Sequence, residues 1–288
     1  MVKNRDSRCL SSSVSNSSSS TVTLSCDVFA PEKTVSPVPV IILHGLLGSK
    51  KNWRGLGKAI SEKNQRKVYA LDARNHGDCP HSDKFDYPLM AEDVKNFMTS
   101  QSIPEAVVIG HSMGGRTAML LALTNEPLVN KLIVVDVSPS KMPSQLQFIP
   151  GYMREMKKAI AAVSATGLSQ GRRAIDKHLS QTIPEASIRQ FLLTNLTEKN
   201  KMLSWKPNID VLLEKFDASI NMFPAVEGHY SGDTLFICGG DSPYVKTEDH
   251  PFIQTLFPKS EFIKIPNAGH WVHSEKPSEF LQAVYDFL

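Results

Sequence analysis

Cysteine is scarce and scattered: positions 9, 26, 79 and 238 of 288 residues show no paired spacing. That spacing argues against a disulfide scaffold or a structural zinc and fits a reducing compartment. Cys238 sits inside the apolar run Leu235 to Cys238 and reads as a small core residue rather than a nucleophile. No apolar stretch approaches the ~18 residues that a membrane span needs. Charge of one sign is also lacking. Thirty-two basic residues face 29 acidic ones, with no basic block or stripe, so a nucleic-acid partner has no electrostatic footprint. No repeat is visible along the chain.

What is present divides into a short tail and a long body. "MVKNRDSRCLSSSVSNSSSS" is serine-rich and basic, and too poor in apolar residues to pack. Residues 1–21 read as a disordered tail or a mitochondrial transit peptide, with cytoplasm as the alternative compartment. The absence of an apolar h-region speaks against a secretory signal. From Val22 onward, β-branched runs alternate with amphipathic helix-length stretches, which predicts an α/β fold with a mostly parallel twisted sheet and helices on both faces. The strand candidates are Thr23–Phe29, Val40–His44, Lys67–Asp72, Ala106–Gly110, Leu132–Val137, Thr234–Cys238 and Glu261–Ile265. Helix candidates lie near Asn52–Glu62, Tyr87–Gln101 and Gly115–Asn125.

Between Pro139 and Gly232 the rhythm changes to helical periods alone, among them Met153, Met156, Ile160 and Val163, then Ile188, Phe191, Leu192 and Leu196. Residues 139–231 are expected to form an all-helical cap over the carboxyl ends of the strands, and 22–138 with 232–288 to form the core.

The chemistry centres on Gly110-His111-Ser112-Met113-Gly114, a G-x-S-x-G pattern with a strand before it and a helix after it. Such a turn forces positive φ on Ser112 and lifts its hydroxyl clear of the sheet. Gly110, Gly114 and Gly115 leave room for close approach of neighbouring backbone. Acyl transfer at Ser112 needs two oxyanion donors. The amide of Met113 supplies one, and the amide of Leu46, in the loop after "VIILHG", supplies the other.

The base should lie downstream, because this motif class runs serine, acid, histidine. His270, in "IPNAGHWVH", follows the last strand candidate and is chosen. His44 reads as a loop-shaping hydrogen-bonder, His273 as a loop residue, and His111 as pointing away from Ser112. Trp271 could line a pocket or simply pack. The acid stays open between Asp136, ending "LIVVD", and Asp241, ending "LFICGGD"; Asp210 in the cap is a third choice. Asp72 ends a strand before the serine and reads as a loop-fixing partner of Arg74. His76, Cys79 and His81 in "NHGDCPHSD" imitate a metal site, but one thiol and no completing ligand argue against it. No metal and no organic cofactor are expected.

Five ordered stretches, "HGLLGSKKNW", "LDARNHG", "GHSMGG", "VVDVSP" and "PNAGHWVH", resemble the alpha/beta hydrolase domain-containing protein 11 group and its small bacterial esterase relatives. The likeness runs from about Val40 to the end. It implies an α/β-hydrolase fold, a serine carboxylester hydrolase acting on acylglycerols such as diacylglycerol, and often a mitochondrial address. The resemblance places the nucleophile on Ser112, the base on His270 and the acid on Asp136. Many members carry asparagine where this chain has Asp241, and some descriptions put the acid in the segment matching Asp210. The partner implied is a small-molecule ester or lipid. The rival class is a non-catalytic binding or scaffold protein on the same fold. An aspartate nucleophile, as in epoxide or haloalkane hydrolysis, is excluded by serine at 112.

Overall fold

The computed structural model describes residues 20–140, 148–163 and 167–288. Most of the expected tail, with Cys9, lies outside the described residues. Seven strands form one sheet: β1 (Cys26–Phe29), β2 (Val40–Leu43), β3 (Val68–Leu71), β4 (Ala106–His111), β5 (Val129–Val135), β8 (Asp233–Gly239) and β9 (Ser260–Ile265). Their order is β1-β3-β2-β4-β5-β8-β9. β1 runs antiparallel to β3, and every other pair is parallel. All seven strand candidates are therefore present, with ends shifted by a few residues.

Burial explains the run-on apolar sequences. Every residue of β2, β3 and β4 is buried, because helices cover both faces. On one face α1 (Arg54–Asn64) and α10 (Pro277–Phe287) enclose Trp53, Ile60, Phe280 and Val284 with Ile42 and Ile109. On the other, α2 (Tyr87–Ser100), α3 (Met113–Thr124) and α8 (His250–Leu256) enclose Met90, Phe97, Met119 and Phe257 with Ile41 and Val108. Each such side chain removed from water contributes roughly 1.5–3 kcal/mol before entropy is counted. α2 starts where Asp86 accepts the Leu89 amide at 2.8 Å and Pro88 enters the first turn.

The insert between β5 and β8 is not helical throughout. It contains α4 (Ile149–Ala162), α5 (Leu168–Leu179), α6 (Ala186–Leu193) and α7 (Ile209–Lys215). It also contains an antiparallel hairpin, β6 (Leu196–Lys199) with β7 (Met202–Trp205), which corrects the all-helical expectation. Asn200 and Lys201 turn this hairpin with φ of 53° and 63°, the left-handed pair that a two-residue turn requires. Lysine at the second place hides the turn from a glycine-based reading. Tertiary contacts then fix the hairpin. Trp205 Nε1 donates to the Met156 carbonyl at 2.8 Å, and Gly171 of α5 lies so close to Leu203 that a Cβ there would be 2.3 Å from it.

β2 and β4 are neighbours, yet the chain leaves β2 for β3 on the opposite side. The sheet's connections therefore diverge between β2 and β4, which opens a crevice at their carboxyl ends. Leu43 is in register with Gly110, so the loop after β2 meets the turn after β4 there.

Candidate active site

Ser112 sits at that crevice. It caps α3 with φ 52° and ψ −118°, a conformation that costs a non-glycine residue about 1–3 kcal/mol. The surrounding glycines permit it. A Cβ on Gly110 would lie 2.3 Å from the Gly114 carbonyl oxygen, and one on Gly114 would lie 2.4 Å from that of Leu43. Met113 opens α3, so its amide is among the first N–H groups that a helix leaves unpaired.

Asp136 follows β5 with φ 50°, and His270 follows β9. Nδ1 of His270 lies 2.8 Å from Oδ2 of Asp136. Asp136 is buried, and it accepts from the Gly239 amide at 2.9 Å and from the Ser242 hydroxyl. The carboxylate thus has three partners, and because it can only accept, Nδ1 of His270 is the donor in their contact. Tyr244 stacks on the His270 ring at 3.5 Å. The other two aspartates lie elsewhere. Asp241 is exposed, and Asp210 is exposed and paired with Lys157.

Ser112 and His270 line one cavity of about 240 Å³, together with Leu46. Cap residues Phe148, Ile149, Tyr152, Ile188, Phe191 and Leu192 form one apolar side of it. Trp271 lines it as well and meets Phe191 at 5.5 Å, so it is a wall residue.

The remaining histidines have structural surroundings. His111 is buried beside the site. Its Nε2 donates to the His270 carbonyl at 2.9 Å, so it touches the segment that carries His270. Burial, then the neighbouring His273 and His270, hold its pKa well below the ordinary value. His273 is buried against Trp53, with ring centroids 4.3 Å apart and nearly parallel planes, and is not a loop residue. Burial, followed by His270, lowers its pKa to about 3. Its Nδ1 is buried without a hydrogen-bond partner among the described residues.

His44 donates from Nδ1 to the Gly45 carbonyl at 2.8 Å and accepts the Ala73 amide on Nε2 at 3.0 Å, a loop-shaping pair. His76 donates to the Arg74 carbonyl and accepts the Leu47 amide at 3.1 Å; burial, then His44, lowers its pKa to about 3. Cys79 contacts the Asp72 carbonyl, and burial raises its thiol to about 12. His81 contacts the Lys206 carbonyl at 2.8 Å. Among the described residues no group of three or more His, Cys, Asp or Glu could hold a metal ion. No described helix is long and apolar enough to cross a membrane.

One loop assignment changes. Asp72 pairs with the buried Lys50 and accepts the Lys50 and Asp78 amides, both at 2.8 Å. Arg74 instead forks onto Asp93, at 2.7 and 2.8 Å. β3 ends at Leu71 and the chain turns at residues 74–75, where Asn75 has φ 62°, so the alternation that would keep residues 72 and 74 on one side is broken.

Sequence reasoning missed Ser242, Tyr244, Arg116 and Asn195. Ser242 and Tyr244 follow "GGD", and that small-residue strand exit was their one available signal.

The family described as the alpha/beta hydrolase fold matches residues 38–277. The mouse sn-1-specific diacylglycerol lipase ABHD11 is 45% identical over 250 residues, covering 86% of this chain and 80% of its own length. The Xenopus laevis protein of the same name is 42% identical, covering 93% and 84%. Among solved structures, a marine microorganism esterase superposes with a TM-score of 0.83 at 33% identity, covering 93% of this chain and 100% of its own. The chain belongs to the alpha/beta hydrolase family and, within it, to the ABHD11 group.

Proposed function

We propose that this carboxylic ester hydrolase cleaves acylglycerols such as diacylglycerol by two-step acyl transfer, with Ser112, His270 and Asp136 as a triad. The 2.8 Å contact between His270 and a thrice-held Asp136, at the wall of the cavity that Ser112 lines, carries the reading. Ser112 Oγ attacks the ester carbonyl carbon while His270 Nε2 takes its proton. The carbonyl oxygen gathers charge and is received by the amides of Leu46 and Met113, donors of a kind worth roughly 2.7–4 kcal/mol each in the transition state. Collapse expels the alcohol, which takes the proton from His270. Water, deprotonated by His270, then attacks the acyl-serine, and collapse breaks the bond to Ser112 Oγ, which takes the proton back from His270 as the fatty acid leaves. Asp136 orients the imidazole and stabilises its cation throughout. Neither a metal nor an organic cofactor enters the scheme.

Substrate class rests on the apolar cap wall and on the lipases of the ABHD11 group. A fluorophosphonate probe should label the native protein and not Ser112→Ala, and only the native protein should release fatty acid from a diacylglycerol panel read by mass spectrometry. Equal labelling of both proteins would remove Ser112 from the role, and an unlabelled, inactive native protein would favour a binding or scaffold role.

A further inference from the structure

We infer that Asn195, a cap residue, is a positioning residue for the oxyanion donor: it fixes the turn carrying the Leu46 amide, so that full turnover requires a seated cap. The inference rests on the oxyanion role given to Leu46 above.

Residues 45–48 form a tight turn held at every peptide. The Gly45 carbonyl accepts the Gly48 amide at 2.9 Å and His44 Nδ1 at 2.8 Å. The Leu47 amide donates to His76. The Leu47 carbonyl accepts Asn195 Nδ2 at 2.6 Å, across 148 residues of sequence. A trans peptide sets its N–H opposite its C=O. Pinning the Gly45 carbonyl on one side therefore aims the Leu46 amide to the other, and Leu46 lines the catalytic cavity. That amide has no hydrogen-bond partner among the described residues.

The turn needs this support because Leu47 has φ 59°, which a leucine does not hold unaided. Asn195 is a rigid mount. It is buried, its amide donates to Leu192 at 3.1 Å, and its carbonyl accepts from Lys206 at 2.9 Å. Without its side-chain donor, Leu47 relaxes, Gly48 leaves the Gly45 carbonyl, and the Leu46 amide swings off its aim.

The test uses Asn195→Leu, similar in volume but without a donor, and the smaller Asn195→Ala, each assayed below its melting temperature. On p-nitrophenyl acetate, whose acyl group reaches little of the cap, kcat should fall about 10- to 100-fold. KM should stay within about twofold, since uniform binding is untouched. Affinity for a short trifluoromethyl ketone, which adds Ser112 Oγ and places an oxyanion at the same amides, should weaken by the same factor as kcat/KM. Unchanged kcat and ketone affinity, with a rise in KM or a drop in melting temperature alone, would mean that Asn195 only seats the cap and would overturn the inference. Ser112→Ala separates the two levels. If it abolishes turnover while both Asn195 variants match the native enzyme, only the positioning role fails. If it retains native turnover, the underlying reading fails.

Discussion

At Asp136 a single carboxylate serves three donors, His270, Ser242 and the Gly239 amide. Asp136→Asn keeps the shape but presents a group that no longer favours the productive imidazole tautomer. On the proposed role of Asp136, we expect kcat on a p-nitrophenyl ester to fall by about 10⁴, as loss of the orienting carboxylate does in serine proteases. Asp241→Asn and Asp210→Asn should stay within about threefold, because both side chains are exposed and low-dielectric coupling is absent there. A larger loss from Asp241→Asn than from Asp136→Asn would transfer the role.

His76 and His273 set a different residue-scale expectation. Both are neutral in the fold down to about pH 3, whereas an unfolded histidine takes up its proton near 6.5. Unfolding therefore gains protons between those values, and stability falls as the pH falls through that window. Each group contributes about 1 kcal/mol per pH unit to the slope. His273→Phe keeps an aromatic ring on Trp53 and removes the unpaired Nδ1. Urea melts from pH 6.5 to 4.5 should show a shallower acid slope for this variant, and an identical slope would contradict the assignment.

At the scale of elements, the α3 turn is confined by backbone on both sides. Gly114→Ala would press a methyl group against the Leu43 and His44 carbonyls, neither of which can move without breaking β2. A destabilisation of at least about 3 kcal/mol in denaturant titration is expected. Arg116 of α3 works on a longer span. Its buried guanidinium donates to the Ser138 and Ser140 carbonyls where the chain enters the cap, and to Ile220 where it leaves. Arg116→Met leaves the buried Ser138 carbonyl unpaired, at about 1–3 kcal/mol, and removes the donor to Ser140, while Ile220 keeps the Tyr87 hydroxyl. Limited trypsin digestion should then cut within residues 141–221 well before the core strands, whereas the native chain should show no such order. The missed hairpin belongs to this scale too. Leu196 continues a helical spacing, and only the packing of Trp205 and Leu203 onto α4 and α5 makes the segment extended.

Across the whole molecule, residues from widely separated segments meet at the carboxyl ends of five parallel strands. The order of the strands brings them together: β2 and β4 carry Leu46 and Ser112, while β5, β8 and β9 carry Asp136, Ser242 and His270. The cap then closes the site with apolar side chains and reaches the β2 loop through Asn195 and the loop after β3 through the Asp78–Lys206 pair. We further propose that residues 1–21 act as a mitochondrial address. A fusion of residues 1–21 to a fluorescent protein should enter mitochondria, and replacing Lys3, Arg5 and Arg8 by glutamine should return it to the cytoplasm. A diffuse native fusion would leave the segment as a plain tail.

Local pattern alone sufficed for the strands and for the strained turn at Ser112, because run length and glycine spacing are properties of neighbouring residues. Asp136 and Asp241 end consecutive strands of the sheet with equal local credentials, and nothing in either segment ranks them. Folding separates them, since β8 ends at Gly239 and the chain turns at Gly240 before Asp241, whose side chain lies at the surface. The same holds for Lys50 with Asp72, Arg74 with Asp93, and Asn195 with Leu47. Each is a contact between segments distant in sequence, set by sheet order and by the seat of the cap, and periodicity within one segment carries no information about either.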